Sequence, residues 1–411
     1  MSDQPEASIR DFLASQREQQ TDFLAELVKI HSDNPPGDCA PHAERTAALL
    51  EQIGFHVERH AVPGDLAKAN GMITCTNLLV RERFDVSGPT IACNAHGDAV
   101  PPGLGWSVDP YSARIQDGHM YGRGVAVSKS DFATYAWALL ALKQSQAKLR
   151  GSIELHFTYD EEAGGTIGPK WILEQGITRP DFAICAGFSY GVVTAHNGCL
   201  HLEVETIGKS GHAAEPSKAI DALEAAAGIL ADVYDYRKAL VAHQSRIPGI
   251  GSPTLVVGLI AGGINTNVVP DNVKFRLDRR ITPEEDPAKA ERELSAFIKQ
   301  SAERWPGTRC QVRRLLLAKP LVPRQAQDRL VDVIAKRATE LFGIAIEPHG
   351  VPLYTDARHY SHAGVATVLY GAGPRTLGES RAHQADENLK LDDLYKATEV
   401  IALAFLDLLR Q

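Results

Sequence analysis

The stretch HLEVETIGKSGHAAEPSKAIDALEAAAGILADVYDYRKAL (201–240) opens the part of the chain whose reading decides the fold. Residues 201–208 put Leu202, Val204 and Thr206 on one face, the period of a half-buried strand. Residues 219–240 read as a helix. Two strands follow in succession, at 254–261 and 272–281. Pro287 then opens a helix that runs to about Trp305. Proline suits a first helical turn, where its missing N–H has no intrahelical acceptor to lose. A strand at 310–318 completes the order β-α-β-β-α-β, a self-contained ferredoxin-like unit.

On either side the pattern changes to alternating helices and strands, the mark of an α/β layer architecture. Before the unit, residues 21–30 place Phe23, Leu24, Leu27 and Val28 on one helical face, and Pro35, Pro36 and Gly37 break the chain. A short apolar strand, 90–94, ends at His96-Gly97-Asp98. An Ala- and Leu-rich helix follows the Gly122-Arg123-Gly124 turn. The strand 153–157 ends at Asp160-Glu161-Glu162, and 181–186 is another strand. After the unit come a helix at 326–342 ending at Gly343, a strand at 367–370 and a final helix from Asp392. The last segment is too short to bury a sizeable core alone. The chain therefore reads as one α/β domain interrupted by an insertion: 1–192, then the inserted 193–316, then 317–411. Its polar clusters fall just past strand ends, where open α/β sheets place ligands.

Composition narrows the function classes. The 411 residues are 44% apolar and 23% charged, a globular balance. With 43 basic and 51 acidic residues the net charge is −8, which argues against nucleic acid or an anionic membrane as partner. The six cysteines are scattered without a CxxC pair, which argues against a disulfide framework or zinc knuckle and fits a reducing cytoplasm. No apolar signal core or membrane-length apolar run is present.

Three clusters carry chemistry. In His96-Gly97-Asp98 the acid is placed to orient a metal-binding imidazole. In Asp160-Glu161-Glu162 adjacent acids point in different directions, so one can bind a metal while its neighbour handles protons. His383 lies in AHQADE (382–387), just before a helix.

With their flanks these clusters become specific. NAHGDAVPPGLGWSVDPYSARIQDGHMYGRG (94–124), TYDEEAGGTIG (158–168), GKSGHAAEPSKAIDAL (208–223), GGINTNVVPDNVKFRLDRR (262–280), TDAR (355–358) and AHQADE occur in that order. They resemble the glutamate carboxypeptidase, acetylornithine deacetylase and succinyl-diaminopimelate desuccinylase family of metallohydrolases, over nearly the whole chain. The resemblance implies a mixed-sheet catalytic domain and an inserted lid that mediates dimerisation. It implies that His96, Glu162 and His383 hold metal, that Asp98 orients His96, and that Glu161 is the general base activating the hydrolytic water. It implies that His212 on the lid reaches a neighbouring active site and stabilises the developing oxyanion. Asn267, Arg280 and Arg358 match groups that hold a substrate carboxylate, a task suited to the planar, two-pronged guanidinium.

Two positions depart from that family. A bridging Asp normally follows the turn in a pattern like GRGxxDMKG; here residues 122–130 read GRGVAVSKS, with Val127 in the Asp position. A second acid normally follows the next strand in a pattern like PDxxIxxEP; here 180–188 read PDFAICAGF, with Gly187 in its place. Neither side chain binds a metal. Asp131 and Cys185 are the candidate substitutes. The expectation is a single divalent metal (zinc, manganese, cobalt or iron) on two histidines and a carboxylate. The default reaction is hydrolysis of a C–N amide bond in a small carboxylate such as an N-acyl amino acid. The alternative is hydrolytic deamination of an electron-poor aminobenzoate of the nitroanthranilate type, for which the family has a branch. A degenerate, non-catalytic binding protein is the third reading. A serine-hydrolase elbow at Gly187-Phe188-Ser189-Tyr190-Gly191 is a further rival, which requires a helix directly after it.

Overall fold

In the computed structural model, which describes residues 4–410, four parallel strands carry the chemistry-bearing loops. Thr90–His96 pairs in parallel with Ser152–Thr158 on one side and with Phe182–Cys185 on the other. Ala366–Leu369 continues the parallel run beside Phe182–Cys185. Further strands widen this to an eight-stranded mixed sheet, with the antiparallel Val57–Ala61 and Thr76–Arg83 at one end and, at the other, the antiparallel Val192–His196 followed by Pro348–Val351. His96 is in register with Thr158, so His96 and the Glu161-Glu162 loop leave the sheet at the same edge.

The parallel strands are buried almost throughout, as strands covered on both faces must be. Helix Ser130–Gln144 and helix Leu391–Leu409 pack against each other, and most residues of both are buried. Phe132 stacks on Phe157 with ring centroids 4.0 Å apart, and Tyr159 meets the same ring edge-on. Such aromatic pairs contribute about 0.5–1.5 kcal/mol beyond the area they bury. They anchor the strand end that delivers the acidic loop. Helix Asp328–Phe342 ends at Gly343, whose φ of +68° gives the left-handed stop expected there.

The chain forms two compact units. One contains the residues up to Thr194, Pro323–His349 and the chain from Thr355 onward. The other contains Ala195–Val322 together with Gly350–Tyr354. The second unit is a four-stranded antiparallel sheet in the order Leu255–Gly262, Asn272–Ile281, Gly198–Ile207, Arg309–Ala318. Helices Ala222–Leu240 and Pro287–Ala302 complete the β-α-β-β-α-β order. Leu200, Leu202, Val204, Phe275 and Leu277 bury one face of this sheet with Ile229, Val233, Leu294 and Ile298 of the helices. Asp221 and Asp286 cap the two helices through their side chains, each accepting two backbone N–H groups.

The serine-elbow rival is overturned here. Strand Val192–His196, not a helix, follows Gly191. Ser189 is fully buried, and its hydroxyl donates to the Gly373 carbonyl at 2.8 Å. Among the described residues no helix is long and apolar enough to cross a membrane.

Candidate metal centre

His96 closes its strand, and its ring is fixed from behind. The Nδ1–H points between the Asp98 backbone carbonyl, at 2.9 Å, and the Asp98 carboxylate, at 3.3 Å. That hydrogen bond keeps a proton on Nδ1 and turns Nε2 toward the acids. Gly97 lies between the two because no side chain fits: a Cβ there would stand 2.4 Å from the Tyr159 ring. The Ser128 hydroxyl accepts the His96 N–H at 3.0 Å and donates to the His96 carbonyl at 3.1 Å, clamping the turn after Val127 against the strand end.

The Asp98 carboxylate is fully buried and does more than orient a ring. It accepts the Asn34 side-chain amide at 3.0 Å and the backbone N–H groups of Glu161 and Glu162 at 3.2 and 3.1 Å. It thereby holds the short 3-10 turn Glu161–Ala163 against His96. His96 Nε2 comes within 4.0 Å of the Glu161 carboxylate. One donor atom each of His96, Glu161 and Glu162 lie within 4.8 Å of one another. His383 Nε2 stands 3.3 Å from Glu162 Oε1, an oxygen shielded from solvent. His96, Glu161 and Glu162 form a three-donor group, His383 joins it through Glu162, and this set of imidazoles and carboxylates suits a divalent cation.

Charge at this site is strongly perturbed. Burial pushes the Glu161 carboxyl up to about 7, with Glu162 and Asp98 adding to the rise and His96 opposing it. Burial opposes protonation of His96, but Asp98, Glu161 and Glu162 outweigh it and hold the imidazolium well above its usual range. Glu162 raises His383 likewise, chiefly through their hydrogen bond. Such mutual perturbation in one cluster is typical of functional sites.

The loop bearing His383 is held by groups that single-motif reading missed. His383 has φ +62°, and Arg381 and Asp386 are also left-handed. Arg123 and Glu387, both about 1% exposed, form an ion pair at 2.6 Å. Arg123 also donates to the carbonyls of Gln384 and Pro102. Glu387 accepts the backbone N–H groups of Ala126 and Val127. One buried pair thus ties the His383 loop to the turn beside His96. Both residues stand inside the quoted motifs, but 264 positions separate them, and no local spacing announces their pairing.

The other expected site residues are placed as follows. Arg358 is buried and donates to the Gly164 carbonyl, bracing the acidic loop from behind together with His359. In the second unit, His212 pairs with Val268 in a two-stranded ladder, and Ala213 N–H reaches the Asn267 carbonyl at 3.0 Å, so His212 and Asn267 are neighbours. Arg280 holds Asp278 with both prongs, at 3.0 and 3.1 Å.

The substitute ligands are engaged elsewhere. Asp131 is buried and accepts the backbone N–H groups of Ala372, at 2.7 Å, and of Gly187, and it does not join the His96 group. Burial pushes its carboxyl up to about 7. Cys185 is likewise buried, which raises its thiol well above the usual range. At Gly187 a Cβ would stand 2.8 Å from both Leu369 Cβ and Tyr370 N. The position of the usual second acid is therefore closed by the neighbouring strand.

Histidines and carboxylates converging past the carboxyl ends of parallel strands define a metallohydrolase of the α/β class. The profile of Peptidase family M20/M25/M40 matches residues 92–407, and the chain belongs to that family. An acetylornithine deacetylase of Myxococcus xanthus is 28% identical over 385 residues, covering 93% of this chain and 95% of the relative. A succinyl-diaminopimelate desuccinylase of Nitratiruptor sp. is 27% identical over 341 residues, covering 80% and 88%. Among solved structures, a di-peptidase of Saccharomyces cerevisiae superposes with a TM-score of 0.79 over 98% of each chain, at 16% identity, a likeness of fold.

Proposed function

We propose that this chain hydrolyses the amide bond of an N-acyl amino acid or a similar small carboxylate, with one divalent metal held by His96, Glu162 and His383. The observation that carries the reading is the convergence of His96, Glu161 and Glu162 donor atoms within 4.8 Å, with His383 Nε2 3.3 Å from Glu162 Oε1. The relatives named for deacetylation and desuccinylation support the substrate class.

When bound, the metal would polarise the scissile carbonyl and acidify water. The chain's own residues supply the rest. Asp98 keeps the His96 proton on Nδ1 and fixes the acidic turn. Glu161, raised to about 7, is matched to neutral pH, so its carboxylate can take a proton from water and return it to the leaving amine. Glu162 serves as ligand and ties His383 into place. Asn267, Arg280 and Arg358 are assigned to the substrate carboxylate and His212 to the oxyanion. Arg280 would use the guanidinium N–H groups that Asp278 does not engage, and Arg358 would act through the loop it braces.

Gly187, packed against Leu369, favours a second reading, because it and Val127 stand where two of the five usual ligands, including the bridge, would be. One metal suits hydrolytic deamination of an electron-poor aminobenzoate such as a nitroanthranilate. The test loads the stripped chain with zinc, manganese, cobalt or iron and offers N-acetyl and N-succinyl amino acids beside aminobenzoates. Release of acetate or succinate supports the first reading. Ammonia from the aminobenzoate alone replaces it with the second. Binding without turnover under any metal overturns both.

A homodimer through the second unit is part of the proposal. Strand Leu255–Gly262 is a sheet edge and exposes Val256, Leu259 and Ile260. Unpaired edges with apolar side chains invite pairing with another chain. Sedimentation of wild type as a monomer would remove this part.

A further inference from the structure

We propose that Cys199, His201 and Asp278 form a separate metal site of the zinc type on the four-stranded sheet of the second unit. The site follows from strand geometry. Residues two apart on a strand share a face, so Cys199 and His201 project together from Gly198–Ile207, opposite to Leu200 and Leu202, which enter the core. The antiparallel register sets Asp278 directly across from His201, and Arg280 across from Cys199. One donor atom each of Cys199, His201 and Asp278 lie within 4.8 Å of one another.

The spacing fits an ion. His201 Nε2 and Asp278 Oδ2 are 3.1 Å apart. Two zinc bonds of about 2.0–2.1 Å at a tetrahedral angle put nitrogen and oxygen roughly 3.3 Å apart. A cation can therefore replace the proton shared by these two groups with little movement. Thiolate, imidazole and carboxylate together are a zinc-type donor set that leaves one position open. Arg280 grips Asp278 from outside, and its guanidinium lies over the Tyr354 ring at 5.6 Å, the kind of outer support that orients a ligating carboxylate. Cys199 is buried while His201 and Asp278 are partly open, so the sulfur is shielded and an ion still has an approach.

This site has sulfur and the catalytic one has none, which makes the two separable. The full-length chain, stripped and reloaded with cobalt(II), is expected to show a thiolate-to-cobalt charge-transfer band in the near ultraviolet. The band should persist in His96→Ala, which disables the catalytic centre, and in Cys185→Ser. It should vanish in Cys199→Ser and weaken strongly in His201→Gln, whose partly exposed position spares the core. Zinc content per chain should fall by one in Cys199→Ser, with the far-ultraviolet circular dichroism of wild type. No thiolate band in wild type, a band that survives Cys199→Ser, or one lost in Cys185→Ser instead would overturn the assignment.

Discussion

Asp98 Oδ2 accepts the backbone N–H of Glu162 at 3.1 Å, so the acid behind His96 also fixes the turn that carries the next ligand. One buried carboxylate thereby sets the distance between two metal donors. Asp98→Asn keeps the volume but replaces an acceptor oxygen with a donor NH2, which faces backbone N–H groups. Metal affinity should fall about 10–100-fold, the usual cost of losing such a partner. Competition with a chelator measures it; unchanged affinity would refute the role.

Glu161→Gln separates binding from proton transfer. Metal should remain, while kcat falls about 10²–10⁴-fold, the usual worth of a positioned base. The sign of the pH dependence follows from the carboxyl raised to about 7: it is protonated at pH 6 and ionised at pH 8. The wild-type rate should therefore rise with pH through a limb that a bound cation shifts lower, never higher. A pH–rate profile on wild type and variant checks both.

Restoring the missing acid should fail. In Gly187→Glu the new Cβ meets Leu369 and Tyr370 at 2.8 Å, and overpacking of this kind costs about 1–3 kcal/mol. Denaturant unfolding should show that loss, and elemental analysis should show no gain of metal at the catalytic centre. A stable variant with one additional ion would mean that the strand yields readily.

Arg123→Ala would leave Glu387 as an uncompensated buried charge, at a cost of about 3–5 kcal/mol. Because Arg123 also holds the Gln384 carbonyl, the variant should lose metal affinity at His383 as well. Replacing both members with apolar residues (Arg123→Met, Glu387→Leu) should recover much of the stability but not the affinity. Equal recovery of both would show that the pair only stabilises.

Asp131 gives the metal-free chain a pH-dependent stability. Its carboxyl sits at about 7 in the folded chain against an ordinary 3.8, so between those values the folded state holds the proton more tightly. Stability must then fall as pH rises through that window, by up to about 1.4 kcal/mol per pH unit. Asp131→Asn should lower the slope between pH 5 and pH 7 by this one group's share, because Glu161 and Asp160 also sit at about 7. Unfolding midpoints at the two pH values decide it, and an unchanged slope would remove Asp131 as its source.

The sequence alone carried the strand and helix order, because periods of two and 3.6 residues are local properties. Helix Ala222–Leu240 and strand Asn272–Ile281 lie where those periods put them. It also singled out His96, Glu161 and Glu162 as candidates, because His96 closes a buried strand and the two acids follow another, and the family resemblance marked Val127 and Gly187 as positions lacking the usual acids. Tertiary structure decided what depends on distance through space. Only the packed chain shows that Gly187 is closed off by Leu369, that Asp131 serves backbone N–H groups of Ala372 and Gly187, and that Arg358 braces Gly164. Only sheet register sets Asp278 across from His201, 77 residues away, and only burial makes the Arg123–Glu387 pair a structural tie. Periodicity and spacing act along the chain; hydrogen bonding, desolvation and steric closure act between segments that the chain brings together only on folding.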